Sequence, residues 1–270
     1  DSVRYYSTYL PELYKLILKQ SAEFLKETLN EQQRKGRKRS RPKILLATNL
    51  DDAMIFYEKY KNNLLGVISD VGFVRHKEDS PDKEQLDAGI ELVRYIRKDD
   101  PLMPVLLQSS QDAMSAVAQE LGVGFIRKWS KTLMIQLGEY IKEEFGFGDF
   151  VFRDAERIEY GRASNLKDME YLVKTIPDDV LIYNTSRNML SKWLFSRGLF
   201  ILGSRFRSMQ NSEFASIDEL RRYVSQQIHD FHALNGRGVI AHFDSESYER
   251  YIWFARVGEG SLGGQARGLA

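Results

Sequence analysis

Three side chains whose chemistry suits a phosphoryl group each lie at the end of, or directly after, an apolar run. They are Asp70, Ser109 and Lys128. A carboxylate can take a phosphoryl group covalently, a hydroxyl can hydrogen-bond a phosphate oxygen, and an ammonium can neutralise the added charge. In an open parallel sheet, ligands bind at the carboxyl ends of the strands. We therefore expect the three side chains to form one site, provided that the apolar runs are parallel strands.

Each of these residues also has an ordinary structural explanation when it is taken alone. Asp70 could cap a helix or simply pair with Lys128, serines commonly end strands, and lysines are mostly surface residues. The shared site is favoured because all three residues follow apolar runs, in order along one chain.

Strand-like and helix-like segments alternate between residues 43 and 145. Apolar runs lie at 43–47, 65–69, 104–108 and 124–127, and helical patterns lie at 51–61, 86–97, 113–121 and 133–145. Apolar strands without polar alternation are covered on both faces, and their alternation with helices gives a parallel sheet with right-handed crossovers. The predicted fold class is therefore α/β, with a doubly wound parallel sheet.

A long amphipathic helix is predicted before these segments, over residues 8–33, because leucine, isoleucine and tyrosine recur at three- and four-residue steps. Six basic residues follow between Arg34 and Arg41. We expect a solvated loop there, and the alternative is a contact for an acidic partner or a nucleic acid. Nucleic acid is the least favoured partner, since the net charge of the chain is only +1.

Gly146 and Gly148 interrupt the alternation and mark the predicted end of a first domain, residues 1–145. The second domain, residues 149–257, is predicted to be a smaller α+β unit. Its predicted elements are a strand or hairpin at 149–160, helices at 166–175, 187–202 and 216–234, and strands at 181–183 and 238–243. His229 and His232 are spaced like a metal pair on the last helix, but no third ligand accompanies them, so a surface position is favoured.

Composition excludes several classes of function. The chain has no cysteine, which excludes disulfides, thiol catalysis and cysteine-based zinc sites. It has no apolar run of about 18 residues, so no membrane-spanning helix is expected. Because the sequence lacks an initial methionine and a signal peptide and stops in mid-pattern, we expect a fragment of a longer cytoplasmic protein.

The strand-end residues and their neighbours resemble the receiver domain of two-component response regulators. Residues 67–71 resemble its phosphoacceptor strand, and residues 87–97 resemble the helix that follows. Residues 104–110 resemble the strand that ends in a switch serine or threonine, and residues 122–128 the strand that ends in lysine. Trp129 stands where the family usually has proline. The resemblance covers about residues 1–145 and implies a flavodoxin-like sheet.

The resemblance also implies a role for each site residue. Asp70 would be the phosphoacceptor, Ser109 and Lys128 would sense the phosphoryl group, and a histidine kinase would be a partner. Mg²⁺ would be held by Asp1, Asp70 and the backbone carbonyl of Gly72. Residues 47–53 match the turn after the family's second strand, so the first strand and its first acidic residue would precede Asp1.

A glycine-rich stretch at residues 258–270 suggests a flexible linker on physical grounds. It also resembles the opening motif of the ATP-grasp domain in phosphoenolpyruvate synthases and pyruvate phosphate dikinases. The matching residues are Gly263 and Gly264, then Gln265 at the family's lysine position, with Arg267 nearby as a cation. The resemblance implies an ATP-dependent phosphotransferase as the parent protein, with ATP bound by a catalytic domain that follows residue 270 and is a partner of this region.

The sequence favours two functions, and neither gives this chain a complete active site. The first is a signalling module that accepts a phosphoryl group on Asp70 and shifts the helix at 133–145. Gly146 and Gly148 would then act as a hinge toward the second domain, unless they simply end the helix. The second is a non-phosphorylated docking or dimerisation module, suggested by the long first helix and by the insertion at 75–83.

Overall fold

The computed structural model describes residues 1, 3–26 and 31–236. The first part of the chain contains, in order, α1 (Val3–Leu25), α2 (Glu31–Arg39), α3 (Leu50–Tyr60), β1 (Val67–Asp70), α4 (Ala88–Asp99), β2 (Val105–Ser109), α5 (Met114–Glu120), β3 (Gly124–Arg127) and α6 (Leu133–Glu144). The second part contains β4 (Phe150–Arg153), β5 (Glu159–Ala163), α7 (Leu166–Thr175), α8 (Asp178–Ser186), α9 (Met189–Ser196), α10 (Phe200–Ser208) and α11 (Ile217–Gly236). The predicted strand at 238–243 and the glycine-rich stretch lie outside the described residues.

Strands β1, β2 and β3 form a parallel sheet in that spatial order, which confirms the predicted α/β class. The central strand β2 is fully buried because separate apolar clusters cover the two faces of the sheet. Val105 and Leu107 belong to a cluster with α3, α4 and α5, whereas Leu106 belongs to a cluster with α1 and α6. This double cover explains why β2 reads as a continuous apolar run.

Two predictions for the segments before the sheet are wrong. Residues 43–47 form no strand, because they have no neighbouring strand with which to hydrogen-bond in the part that the structure describes. The basic stretch from Arg34 lies mostly in α2 rather than in a loop, since lysine, arginine and glutamine are good helix formers. The predicted helix at 8–33 is divided between α1 and α2.

The second part pairs β4 and β5 in an antiparallel hairpin, as predicted, and packs it with five helices. The predicted strand at 181–183 is wrong, because these residues lie inside α8. Pro177 precedes that helix and two aspartates occupy its first turn, both of which favour a helix start. The predicted helix at 187–202 is interrupted by Gly198, whose φ of +71° lies in the left-handed region.

The junction between the two parts is a helix end held by side-chain contacts. Gly146 follows α6 with a φ of +77°, and the Gly148 N–H donates to the Lys142 carbonyl at 2.8 Å. A left-handed glycine directly after the last turn is a common way to end a helix. The Arg197 guanidinium donates to the Gly146 and Gly148 carbonyls, both at 2.9 Å, and stacks on Trp193. This geometry favours the helix-ending role of the glycines over the hinge.

The junction is tested by substituting two left-handed glycines that differ in their surroundings. A Cβ at Gly122 meets no atom within 4 Å, whereas a Cβ at Gly146 lies 2.9 Å from the Trp193 Cα. We expect Gly122→Ala to lower the free energy of unfolding by about 1–2 kcal/mol, from backbone strain alone. Gly146→Ala should lose about 1–3 kcal/mol more, because the Trp193 backbone must move. Urea unfolding measures both losses of stability. Equal losses would show that the Trp193 backbone can move away from Gly146 at little cost.

Within the described residues, no helix is both long enough and apolar enough to cross a membrane.

Candidate functional site

The Lys128 ammonium lies between two carboxylates at the carboxyl edge of the sheet. Asp70 is the last residue of β1, and Lys128 directly follows β3. Lys128 Nζ is ion-paired with Asp70 Oδ2 and lies 3.6 Å from Asp1 Oδ1. The side chains of Lys128, Asp70 and Asp1 are 10%, 9% and 2% exposed. Two nearly buried carboxylates therefore share one side-chain cation. The strand ends predicted Asp70 and Lys128 for this site, and the resemblance to receiver domains implied Asp1.

Neutral donors hold the remaining carboxylate oxygens. The Val71 N–H donates to Asp70 Oδ1 at 2.7 Å, and the Tyr9 hydroxyl donates to Asp1 Oδ2 at 2.9 Å. Each carboxylate thus has one oxygen toward Lys128 and the other toward a neutral group. These contacts fix the orientation of both carboxylates before any ligand binds. Tyr9 was not predicted as a site residue, because its helical spacing in α1 only marks it as part of the core.

The amino group of Asp1 is also placed at this edge, where it donates to the Ala47 carbonyl at 3.0 Å. Burial lowers the pKa of this amino group to about 6, with a smaller contribution in the same direction from Lys128. The Asp70 carboxylate acts in the opposite direction. The backbone nitrogen and the carboxylate of Asp1 are thus both held at the edge where Asp70 and Lys128 lie.

Ser109 ends β2 and reaches the site through its backbone. Its carbonyl accepts from the Lys128 N–H at 2.8 Å, and its hydroxyl accepts from the Gln111 N–H at 3.1 Å. The structure thus links Ser109 directly to Lys128, as expected for neighbouring strand ends. The hydroxyl is only the acceptor in that bond, so its own O–H is the group that would donate to a phosphoryl oxygen.

The start of α4 packs directly on the end of β1. The Gly89 N–H donates to the Val71 carbonyl at 2.9 Å, and a Cβ at Gly89 would lie 2.0 Å from the Asp70 carbonyl oxygen. Only glycine permits this approach. The intervening loop is closed by a pair of backbone hydrogen bonds between Phe73 and Gln85, both of 3.1 Å. The insertion at 75–83 therefore lies beyond this closed pair, away from the site. Gly72 precedes the pair and stays close to Asp70.

The candidate Mg²⁺ ligands offer oxygen atoms of the kind that this ion prefers. They are the carboxylates of Asp1 and Asp70 and the backbone carbonyl of Gly72. Among the described residues, no group of three acidic, histidine or cysteine side chains is placed to hold a metal ion. Mg²⁺ is usually held by one or two carboxylates, with water and substrate phosphates completing its coordination. Two carboxylates and a carbonyl therefore fit the ion.

The two histidines of α11 differ in exposure: His229 lies at the surface, as predicted, whereas His232 is partly buried and its Nε2 has no hydrogen-bond partner within the described residues. His229 is exposed and its Nδ1 lies 3.5 Å from Glu170 Oε1. Burial lowers the pKa of His232. Pairing of His229 with a carboxylate gives it a role without a metal.

Sequence reasoning missed one further polar residue near the site. Gln108 lies opposite Asp70 in the β1–β2 register and is fully buried. Within the described part of the chain, neither its amide nitrogen nor its amide oxygen has a hydrogen-bond partner. The only signal in the sequence is a glutamine that interrupts an otherwise apolar run. A buried amide without hydrogen-bond partners is costly. The Gln108 amide could therefore gain hydrogen bonds from a group that binds beside the Asp70 carboxylate.

Comparisons of the chain with protein-family models, with curated proteins and with solved structures gave no match.

Proposed function

We propose that this region is a receiver-like signalling module in which Asp70 accepts a phosphoryl group. The observation that supports the proposal is the shared ion pair: Lys128, at the end of β3, lies between the buried carboxylates of Asp70 and Asp1. A surface salt bridge would need neither the burial nor the second acid. In the same proposal, the sheet is flavodoxin-like and its first strand precedes Asp1.

The reaction requires a donor with a labile phosphorus–oxygen bond. An Asp70 carboxylate oxygen attacks phosphorus, the donor's bond breaks, and the leaving oxygen keeps the electron pair. The product is an acyl phosphate on Asp70, and no oxidant or reductant takes part. When bound by Asp1, Asp70 and the Gly72 carbonyl, Mg²⁺ supplies charge neutralisation for the phosphoryl oxygens. Lys128 turns from the carboxylate to a phosphoryl oxygen, which it neutralises as a point charge.

The new charge changes the balance at the edge of the sheet. A phosphoryl group adds roughly −1.5 to −2 charges at neutral pH. In this proposal Lys128 Nζ turns from Asp1 toward the phosphoryl group. A shift of the Lys128 backbone would reach Ser109 through their 2.8 Å hydrogen bond, and would reach α6, which begins at Leu133. Because α6 ends at the junction held by Arg197, a shift of α6 is passed on as a movement of a packed contact.

Histidine kinases are the class of partner that supplies such phosphoryl groups.

The parent protein is part of the same proposal. We place this region ahead of an ATP-grasp domain, in an ATP-dependent phosphotransferase that resembles phosphoenolpyruvate synthases. Residues 263–267, which carry that resemblance, lie outside the described residues.

A docking or dimerisation module is the second candidate, and one observation favours it. Tyr14 and Leu18 lie one turn apart on α1 and remain 50% and 42% exposed. An exposed apolar pair on a long helix can contact a second copy of the chain. This function requires no chemistry at Asp70.

The proposal is tested by incubating the chain with acetyl phosphate and Mg²⁺ and weighing the intact protein. We expect one phosphoryl group per chain, and none without Mg²⁺ or in Asp70→Asn. Ser109→Ala is the matched control, and it should still accept the group because the hydroxyl is not the acceptor. No incorporation, or incorporation that persists in Asp70→Asn, contradicts the proposal. If the chain is also dimeric by light scattering with and without acetyl phosphate, the docking function replaces it.

A further inference from the structure

One fully buried side chain beside the site makes no hydrogen bond. Gln108 lies in β2, the central strand, and neither polar atom of its carboxamide has a partner among the described residues. Glutamine is an unusual residue at a fully covered position of a central strand, because methionine or leucine would fill similar space without an unpaired polar group. In the absence of a phosphoryl group the carboxamide therefore costs stability and forms no hydrogen bond.

The carboxamide lies on the same face of the sheet as the ion pair. Leu106 and Ile68 both pack in the apolar cluster that includes α1 and α6. Because alternate residues of a strand share a face, Gln108 and Asp70, two positions further along, point to the same side. The two are also register partners in the β1–β2 pair. Gln108 is thus the residue of the central strand that lies beside Asp70.

Lys128 must reach across the central strand to form the ion pair. It follows β3, whereas Asp70 ends β1, and β2 lies between these two strands. The Lys128 N–H donates to the Ser109 carbonyl at 2.8 Å, so the residue lies beside the end of β2. Its side chain therefore crosses the end of β2 on the face where Gln108 lies. The part that crosses is the hydrocarbon stem, which offers the carboxamide no hydrogen bond.

The ammonium at the end of that stem must exchange partners when it turns. An ammonium has three N–H donors and no acceptor. In the proposed reaction it turns from Asp1 toward the phosphoryl group, while its stem stays attached at the end of β3. It then loses one carboxylate, and the carboxamide oxygen of Gln108 is a buried acceptor without a donor on the same face. A hydrogen bond from a charged donor is stronger than one between neutral groups.

We propose that Gln108 is a positioning residue for Lys128. Once a phosphoryl group occupies Asp70, the carboxamide oxygen accepts one N–H of the ammonium and keeps the ammonium directed at the phosphoryl oxygens. The inference rests on the proposed function, because it concerns the occupied site. Gln108 then favours the phosphorylated state, since its buried carboxamide gains a hydrogen bond only there.

The test uses beryllium trifluoride with Mg²⁺ as a phosphoryl analogue, and its binding to Asp70 is titrated by fluorine NMR. We expect Gln108→Met to weaken binding at least about tenfold, as for the loss of one hydrogen bond to a charged group. The same substitution should lower the unfolding equilibrium constant of the analogue-free chain by about fivefold or more, because a buried unpaired amide is removed. A residue with only a structural role would not make the chain more stable and its binding weaker.

The matched control is Leu106→Met, which changes the same strand two positions earlier on the same face. It introduces the same side chain and removes no polar group. We expect it to leave the affinity for the analogue unchanged within about twofold, because volume-conserving apolar substitutions are the best tolerated.

A double-variant cycle shows whether Gln108 acts through Lys128. In the Lys128→Met background, adding Gln108→Met should change the affinity for the analogue by less than about twofold, since the ammonium that the carboxamide holds is already gone. In the unaltered chain, the resonance of the Gln108 side-chain carbonyl carbon should shift when the analogue binds, because its oxygen gains a donor. This last measurement needs no variant, so it decides the matter even if a variant fails to fold.

Failure of the proposed function and failure of this inference are distinguishable. If the analogue does not bind the unaltered chain, or binds Asp70→Asn equally well, both are contradicted. If it binds the unaltered chain and Gln108→Met equally well, or if the Gln108 resonance does not shift, the inference alone is overturned. An equal loss from Gln108→Met with and without Lys128 would mean that the carboxamide contacts the analogue directly, and this also overturns it. A loss of stability in Gln108→Met would mean that the carboxamide is already paired.

Discussion

Replacing Lys128 by methionine is expected to lower the free energy of unfolding by about 3–5 kcal/mol at pH 7. The substitution leaves Asp70 and Asp1 as nearly buried carboxylates without the ammonium that they share. Breaking a buried ion pair from one side costs far more than losing an exposed pair, whose contribution is about 0–1 kcal/mol. The loss is measured by urea unfolding followed by circular dichroism, with the slope checked for constancy.

Two controls separate the buried charge from other effects of the substitution. Lys131→Met changes an exposed lysine three residues further along, and we expect a change within about 0.5 kcal/mol. The double variant Lys128→Met with Asp70→Asn removes one of the two orphaned charges, so it should recover part of the loss. A loss below about 1 kcal/mol for Lys128→Met alone would show that the ion pair is solvated and not the buried site described here.

Arg197→Met is expected to cost about 2–4 kcal/mol, since one buried guanidinium contributes both hydrogen bonds and ring contacts. Arg197 is 3% exposed. It lies 3.7 Å from the ring centre of Trp193 and 4.3 Å from that of Phe24, and it donates to the carbonyls of Gly146 and Gly148. Methionine keeps much of the volume but provides no donor and no charge. The contact between α1 and the second part of the chain should weaken with it.

The matched control for Arg197 is Arg207→Met. Arg207 also reaches from the second part to the first, where it donates to the carbonyls of Asn62 and Lys61, but it is less buried than Arg197. We expect this substitution to cost less than about 1 kcal/mol. Hydrogen exchange across residues 133–160 should then rise in Arg197→Met and stay unchanged in Arg207→Met. Equal effects of the two substitutions would mean that the junction depends on no single buried cation.

The parallel sheet was predictable because burial on both faces leaves a plain signature in the sequence. β2 is apolar at successive positions, and each of the three strands is followed by a helix with its own apolar face. Once the strands are placed, Asp70 and Lys128 must lie at one edge, because parallel strands bring their carboxyl ends together. The ion pair between them therefore followed from topology and from the order of three residues.

The wrong predictions for local structure have a common cause. Apolar or charged composition alone does not determine whether a segment is a strand, a helix or a loop, because that also depends on neighbouring segments and on the residues at its ends. Residues 43–47 have the composition of β2, yet a strand needs a neighbour, and an apolar cavity lies between these residues and β1. The short apolar run in α8 resembles a strand until the proline and aspartates before it are weighed as helix-start signals. The charge of the basic stretch in α2 suggests a solvated loop. The structure instead follows the helix propensity of its lysine, arginine and glutamine residues.

Arg197 and Tyr9 could not have been identified from the sequence. Each is a single residue in a helical pattern, and its partners come from distant segments. No spacing rule links Arg197 to Gly146, 51 residues away. Such contacts emerge only when both parts of the chain are packed. The sequence therefore leaves open whether the glycines act as a hinge or simply end the helix.

The most direct test of the central claim is to locate the phosphoryl group chemically. The chain is treated with acetyl phosphate and Mg²⁺ and then with borohydride, which reduces an acyl phosphate to an alcohol and releases phosphate. Peptide mapping by mass spectrometry then identifies the altered residue. We predict a single conversion of aspartate to homoserine, at Asp70, which is absent without acetyl phosphate. Conversion at another carboxylate, or a stable phosphate ester on Ser109 with Asp70 intact, would contradict the assignment of Asp70 as the phosphoacceptor.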